Sequence, residues 1–235
     1  MLTPTGPNLW CATHSLTMPG GVHFSVRMTV ARLSDGGLLL HSPVSIDDAL
    51  AAELDELGPV VSLVAPNKLH HLYLTAAQER YPEATTWGAP GLAEKVPALR
   101  IDHTLHAQPA PWASDLEPLL IDGIPWMNET VFLHRASRSL IVTDLFFHFH
   151  SVPNWQSRLL FTLLGVLGRA KQSPLVRMQT RDKGAAAASA RQVLAWDFDR
   201  VIMAHGDVLE DDAKSRMVEI LGPMIRRGGL ALAAA

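Results

Sequence analysis

The sequence predicts an α/β fold, and two observations support this prediction. Short β-branched apolar runs alternate with segments whose apolar residues have helical spacing, which is typical of layered α/β proteins. The chain has 235 residues, of which 48% are hydrophobic and 18% charged, so it can bury a sizeable core. No internal repeat or linker interrupts the pattern, which predicts a single domain over residues 1–235.

Local signals justify the elements in order. Asp35-Gly36 is typical of a tight hairpin, because both turn residues must tolerate positive φ. Leu50, Leu54 and Leu57 share one helical face. The run VVSLVA is typical of a strand covered on both faces, and the proline-rich stretch 84–122 predicts short elements and loops. The predicted elements are a hairpin over 28–41, a helix over 45–57, a strand over 60–65, a helix over 69–81, a hairpin over 130–143, helices over 159–167 and 184–196, a strand over 198–204, a helix over 210–221 and a frayed tail over 231–235.

Composition argues against several classes of protein. Lys and Arg number 20 against 23 Asp and Glu, and this balance lacks the basic footprint of a duplex-binding protein, so no nucleic-acid partner is expected. The single cysteine, Cys11, excludes an intrachain disulfide and a zinc ribbon. The N-terminus lacks a signal-peptide pattern, and the apolar stretch 159–167 is too short for a membrane span of about 20 residues. We therefore expect a cytoplasmic protein in which that stretch is a core helix, a lid, a dimer contact or a helix that contacts a membrane surface.

Metal-capable side chains follow three of the predicted apolar strands. His70 and His71 come after VVSLVA, Asp144 after SLIVT and His205 after RVIMA. Ligands gather at strand ends in layered α/β folds, and three imidazoles with one carboxylate suit zinc, iron or manganese. Spacing alone leaves other interpretations open, namely a chance histidine pair, a helix cap or Arg138 partner at Asp144, and a helix stop after His205.

The order of these segments resembles the metallo-β-lactamase-like hydrolase superfamily. APNKLHHL from Ala65 stands where that superfamily has HxHxDH, VTDLFF from Val142 where it has the bridging aspartate, and AHGD from Ala204 where a late histidine closes the site. RMTVARL from Arg27 and ETVFLHRASRSLIVTD from Glu129 are similar to an uncharacterised branch of the superfamily. The resemblance spans about residues 7–206 and implies a four-layer αββα sandwich.

The departures from the superfamily pattern concern its first metal site. Pro66 and Lys68 stand where the first two histidines belong, and residues 122–127 contain no histidine for the third. The resemblance therefore implies that only the second site survives. Its implied ligands are His70, His71, Asp144 and His205.

This single remaining site implies that the protein binds one divalent metal. Zinc is the expected metal, iron and manganese are alternatives, and a metal-free protein also stays open. Water bound to such a metal would become a hydroxide nucleophile near neutral pH. Asp144 is then a catalytic residue, and Glu129 is a candidate general base or extra ligand. Lys68 is a candidate for holding an anionic substrate group, the alternative being a solvated loop lysine. His148 and His150 alternate after Asp144 and are candidates for substrate contact, or else loop or core histidines.

Two functions remain in competition. The first is a mononuclear metal-dependent hydrolase of a small ester, thioester, amide or phosphoester, acting as a monomer or homodimer. The second is a non-catalytic ligand-binding protein on a degenerate hydrolase scaffold. Nucleic-acid processing is disfavoured by the net charge of -3.

Overall fold

The computed structural model describes residues 1–229 and shows a four-layer α/β sandwich, which confirms the predicted fold class. Two β-sheets pack face to face, and helices cover the outer face of each sheet. The predicted tail over 231–235 lies outside the described residues. Within residues 1–229, no helix combines the length and apolarity needed to cross a membrane.

The first sheet contains seven strands in the order of the chain. The first four pair antiparallel, and the fourth to the seventh pair parallel. Its strands are Thr3–Gly6 (β1), Leu9–Met18 (β2), Val22–Arg32 (β3), Leu38–His41 (β4), Val60–Ala65 (β5), Thr85–Gly88 (β6) and His103–Thr104 (β7). Its outer helices are Asp48–Leu57 (α1), Leu74–Arg80 (α2) and Leu92–Lys95 (α3).

The second sheet contains four strands in the spatial order β11-β10-β9-β8. Its strands are Leu116–Leu120 (β8), Thr130–His134 (β9), Ser139–Val142 (β10) and Arg200–Met203 (β11). The helices of this half are Trp155–Leu163 (α4), Pro174–Gln179 (α5), Lys183–Ala195 (α6) and Ala213–Arg227 (α7). Strands β10 and β11 are parallel, so the chain leaves both at the same edge of the sheet.

Three apolar cores hold the layers together. One lies between the sheets, where Leu39 and Val64 of the first sheet meet Phe132, Ile141 and Ile202 of the second. The other two lie between each sheet and its helices, with α1 and α2 on one side and α6 and α7 on the other. Strands β4, β9 and β10 thus bury every residue on both faces, which explains their continuous apolar runs.

The hairpin predicted over 28–41 is present as β3 and β4, and β6, β7 and β8 are short strands in the stretch predicted as short elements and loops. The structure adds a longer hairpin of β2 and β3 that was not predicted. Helix α2 begins at Leu74 rather than Leu69, because the Asn67 side chain captures the N–H groups of Leu69 and His70 in a turn.

The predicted apolar helix is α4, shifted towards the N-terminus by about one turn. Asn154 caps its start by accepting from the Ser157 N–H, and its C-cap is Leu164, followed by Gly165 at a φ of 65°. Phe161 packs inward, whereas Trp155 and Leu163 are exposed. The helix is therefore neither wholly buried nor wholly solvated.

Candidate metal centre

Three side chains meet at one edge of the two sheets: His70, Asp144 and His205, here called the His–Asp–His cluster. His70 Nε2 lies 3.2 Å from Asp144 Oδ2, and His205 Nε2 lies 3.3 Å from Asp144 Oδ1. The two Nε2 atoms are 3.1 Å apart. Tetrahedral zinc with bonds near 2.0–2.1 Å places neighbouring ligand atoms about 3.4 Å apart. The spacing within the cluster is therefore close to that of ligands around one metal ion.

The strand ends bring the cluster together. Val142 of β10 pairs with Met203 of β11 in parallel register, so the chain positions Asp144 and His205 two residues beyond neighbouring strand ends. His70 follows β5 across the interface between the sheets. Gly206 has a φ of 90°, and a Cβ there would lie 1.8 Å from the His148 carbonyl oxygen. Only glycine, which has no Cβ, allows the two backbone segments to come this close, and their contact fixes the turn that carries His205.

The His205 ring is oriented by one hydrogen bond and two aromatic contacts. Its Nδ1 donates to the carbonyl oxygen of Ser25, at 3.1 Å. The ring stacks on Phe147 with centroids 5.5 Å apart and meets Phe24 edge-on at 5.2 Å. Because a carbonyl can only accept, Nδ1 carries the proton, and in the neutral ring the Nε2 lone pair faces Asp144.

His70 is positioned from the first sheet. Its Nδ1 is 2.6 Å from the hydroxyl oxygen of Ser42, which directly follows β4 and has a φ of 55°. Its backbone N–H donates to the side-chain oxygen of Asn67 at 2.8 Å. His70 and His205 are thus each held by a residue of the first sheet or its turns, so the cluster spans both sheets.

Asp144 rests on a fully buried polar layer formed by Asn67, Glu129 and Thr143. The Asn67 amide nitrogen donates to Asp144 Oδ2 at 2.8 Å and to the Thr143 hydroxyl at 2.9 Å. The Glu129 carboxylate accepts from the backbone N–H groups of Thr143 and Asp144, at 2.7 and 2.8 Å. These four contacts fix the segment that presents Asp144.

The two carboxyl groups have opposite pKa shifts. Burial raises the pKa of Glu129 to about 7, and the nearby Asp144 carboxylate adds to the rise. Burial acts in the same direction on Asp144, but the positive charge of His70 and the hydrogen bonds that His205 and His70 donate when their Nε2 atoms are protonated outweigh it. They hold the pKa of Asp144 well below its usual range. The cluster therefore contains an ionised carboxylate facing two imidazoles, as a metal site requires.

Above the cluster is a pocket of about 330 Å³. The cluster residues form its polar part, and Met18 and Leu72 are lining residues that remain strongly exposed. Its apolar walls come from the β2–β3 hairpin, the segment after β4 and the turn before α2. They include Leu16, Phe24, Val26, Val44, Leu69 and Tyr73.

Two residues predicted at the site are placed elsewhere. His71 is not part of the cluster; burial lowers its pKa, and the charge of Lys95 adds to that effect. Consecutive residues of the turn point in different directions, so only His70 of the pair reaches Asp144. Lys68 is not among the pocket-lining residues, and its Nζ donates to the Pro125 carbonyl at 3.1 Å.

Glu129 is also absent from the pocket lining and is fully buried, with its oxygens occupied by the donors described above. This position suits a residue that orders the Asp144 segment. It does not suit a base that must reach a substrate or water.

His148 and His150 belong to a second group, here called the surface cluster, with Asp207. His148 Nδ1 is 3.2 Å from the Asp207 carbonyl oxygen, and His150 Nδ1 is 2.8 Å from its carboxylate. His148 directly follows Phe147, and the ring of Phe147 contacts the ring of His205. Neither histidine is among the residues that line the pocket above the His–Asp–His cluster.

Sequence reasoning missed the supporting residues Ser25, Ser42 and Asn67. Asn67 was visible within the APN motif, and Arg27 begins the RMT motif, but neither had an assigned role. Arg27 donates from β3 to the Met203 carbonyl and so ties the first sheet to the strand that precedes His205. Ser25 contributes only its backbone carbonyl, which leaves no signal in a single sequence.

Comparisons with known proteins show the same fold in solved structures. A metallo-β-lactamase from Hirschia baltica has 11% sequence identity and a TM-score of 0.63, covering 93% of this chain and 96% of its own. The enzyme from Pontibacter korlensis has 14% identity and a TM-score of 0.63, with 94% and 98% covered. The FIM-1 enzyme from Pseudomonas aeruginosa, in its mono-zinc form, has 12% identity and a TM-score of 0.59, with 98% and 96% covered.

The fold and the cluster at its strand edge define a protein of the metallo-β-lactamase fold with a candidate metal centre. A search of curated protein sequences returned no match. A family model matches residues 8–159, and the chain belongs to that family, described as a domain of unknown function, DUF4336.

Proposed function

We propose that this protein is a mononuclear metal-dependent hydrolase whose metal is held by His70, Asp144 and His205. The observation that carries the proposal is the convergence of two imidazole nitrogens and a carboxylate at 3.1–3.3 Å on the floor of a pocket. His71, which was expected to be a fourth ligand, is not included, because it lies outside the cluster.

The donor atoms fit a cation. With Nδ1 of His205 bonded to the Ser25 carbonyl, the Nε2 lone pair of a neutral ring faces an Asp144 oxygen 3.3 Å away. Two such acceptors repel each other unless a proton or a metal ion lies between them. Two imidazoles and one carboxylate suit zinc first, and also iron or manganese. The mono-zinc form of the FIM-1 enzyme shows that this fold can hold a single zinc ion.

A divalent metal in this site supplies Lewis acidity and lowers the pKa of a coordinated water. The protein's own residues do the remaining work. Asn67 and Glu129 hold the Asp144 segment, and Ser25 and Ser42 fix the two imidazoles, so the donor atoms are positioned before any ligand binds. We assign Glu129 this positioning role rather than that of a general base. The expected reaction is hydrolysis of a small ester, thioester, amide or phosphoester.

Metal analysis of protein purified without a histidine tag tests the proposal. We expect close to one divalent metal per chain, and loss of that metal and of hydrolytic activity in His70→Ala and His205→Ala. His71→Ala separates the two ligand assignments, because it should keep its metal if the structure-based set is correct. His103→Ala is the matched control, since His103 lies on β7 and contacts Trp87 and Gln108 instead.

Protein that is metal-free, stays folded and is indifferent to the His70 and His205 substitutions would overturn the proposal. That result would favour the alternative of a non-catalytic ligand-binding protein, because the pocket would remain but the metal needed for hydrolysis would be missing. Circular dichroism of each variant verifies that loss of metal does not reflect loss of fold.

A further inference from the structure

The pocket above the His–Asp–His cluster has walls that are almost wholly apolar. Leu16, Phe24 and Val26 line it from the β2–β3 hairpin, and Val44 and Leu69 line it from the segments after β4 and β5. Apolar walls with a few convergent polar groups at one end are typical of sites that bind the hydrophobic part of a small molecule. The polar end here is the proposed metal centre, so the apolar part of a ligand lies beside the reacting group.

The pocket has no Lys or Arg side chain for an anionic ligand. Among the described residues that line it, none is Lys or Arg, and Lys68 donates to the Pro125 carbonyl instead. Arg and Lys side chains usually hold phosphate and carboxylate groups in proteins, so an anionic group in this pocket would depend on the proposed metal alone.

The size of the pocket limits the length of the ligand. A cavity of about 150 Å³ holds benzene, which has six non-hydrogen atoms. At about 330 Å³, the pocket has room for roughly twice that number. An acyl chain of about eight carbons with its ester group, or a substituted aromatic ring, fills this space.

We propose that the substrate class is an uncharged carboxylic ester with an apolar acyl chain of about eight carbons, an inference that rests on the proposed hydrolase function. In the reaction, water adds its oxygen to the acyl carbon, the bond between that carbon and the alkoxy oxygen breaks, and the leaving oxygen takes a proton. The products are a carboxylic acid and an alcohol. The walls bind the acyl chain, and the cluster lies at the ester group.

Hydrolysis of p-nitrophenyl esters by the metal-loaded protein is the first test. We expect kcat/KM to rise about fourfold per added methylene from acetate to octanoate, as expected when each methylene leaves water. p-Nitrophenyl phosphate should be cleaved at least 100-fold less efficiently than the octanoate ester. A chain-length profile that is flat, or a preference for the phosphate, would overturn the inference.

Binding without turnover separates this inference from the proposed function. Octan-1-ol and octyl sulfate share a chain and differ in charge, and neither requires hydrolysis to be detected by calorimetry. We expect octan-1-ol to bind at least 10-fold more tightly than octyl sulfate and at least 30-fold more tightly than butan-1-ol. If the protein proves metal-free yet shows this order, the hydrolase proposal fails and the apolar-ligand assignment stands. If it hydrolyses short esters but shows no such order, only the substrate class fails.

A pair of arginine substitutions tests the location of the binding site. Leu72 lines the pocket and is 63% exposed, so Leu72→Arg should be tolerated by the fold while placing a charge at the pocket. Octan-1-ol binding should weaken at least fivefold, and octyl sulfate binding should strengthen. Val218 lies on α7, outside the pocket lining, and is 38% exposed, so Val218→Arg is the matched control and should change neither affinity. Equal effects of the two variants would place the ligand elsewhere and overturn the inference.

Discussion

Replacing Asn67 with Ala should both destabilise the protein and weaken the proposed metal site. The Asn67 side chain makes four hydrogen bonds of 2.8–2.9 Å, to the N–H groups of Leu69 and His70, the Thr143 hydroxyl and the Asp144 carboxylate. Alanine leaves two half-buried backbone donors without their partner and removes a donor from a buried charge. At about 1 kcal/mol for each backbone donor and about 2 kcal/mol for the charged acceptor, the expected loss of unfolding free energy is about 4 kcal/mol.

Urea unfolding in the presence of a chelator measures this loss without a contribution from bound metal. For a chain of this length, a loss of about 4 kcal/mol lowers Tm by about 8–16 °C. Gln78→Ala is the matched amide control. Gln78 donates two hydrogen bonds, to Thr86 and to the Arg100 carbonyl, and it lies on α2 outside the site, so we expect a loss near 1 kcal/mol.

Asn67→Asp isolates the role of the amide nitrogen. The substitution keeps an oxygen that accepts from Leu69 and His70 but places a third carboxyl group beside Asp144 and Glu129. Repulsion raises the pKa of the new carboxyl in the folded state, so the variant should lose stability relative to wild type as pH rises. A loss below about 1 kcal/mol in Asn67→Ala, or an Asn67→Asp variant with no pH dependence of its own, would refute this account of the buried layer.

Three further predictions concern the backbone, the acid stability and the layer beneath Asp144. Gly206→Ala should cost at least about 3 kcal/mol in thermal unfolding, because its Cβ would lie 1.8 Å from the His148 carbonyl oxygen; Gly36→Ala, at a φ of 88° with open space around it, should cost only about 1–2 kcal/mol. Burial lowers the pKa of His41 from 6.5 to about 3, so the unfolded chain binds more protons below pH 6.5. Stability that is fully present above pH 6.5 should then fall by about 2.7 kcal/mol by pH 4.5, and His41→Leu should flatten this part of a pH series of urea midpoints. Glu129→Gln replaces a carboxylate that accepts two backbone N–H groups with an amide that has only one acceptor oxygen. We expect zinc affinity, measured in competition with a chromogenic chelator, to fall by about 10- to 100-fold. An unchanged affinity would show that Glu129 does not support the site.

The sequence contained enough information for the layered fold and for the strand ends that carry the site. VVSLVA, SLIVT and RVIMA are short and strongly apolar, and the structure has strands within all three. The long β2–β3 hairpin was not predicted, although Pro19-Gly20-Gly21 is typical of a turn, because residues 9–27 mix half-buried and exposed positions and lack a strong apolar run. Such a hairpin is stabilised mainly by pairing and packing with distant residues.

The choice between His70 and His71 could not be made from the sequence. The two residues are adjacent and follow the same strand, β5, so their spacing does not distinguish them. The direction in which each ring points depends on the turn that the Asn67 side chain imposes. The same holds for Glu129, whose burial depends on its contacts with residues 14 and 15 positions further on. Local pattern therefore identified the segments of the site, whereas the orientation of side chains depended on long-range contacts.

The separation of the cluster residues along the chain has a consequence for how the protein matures. His70 and His205 are 135 residues apart and reach each other only after both sheets have formed and packed. An unfolded chain therefore cannot present His70 and His205 together, and we expect loading of the proposed metal to follow folding. The proposed ion would then join the two sheets after each has folded. Metal supplied after synthesis should therefore give the same metal content per chain as metal supplied during synthesis.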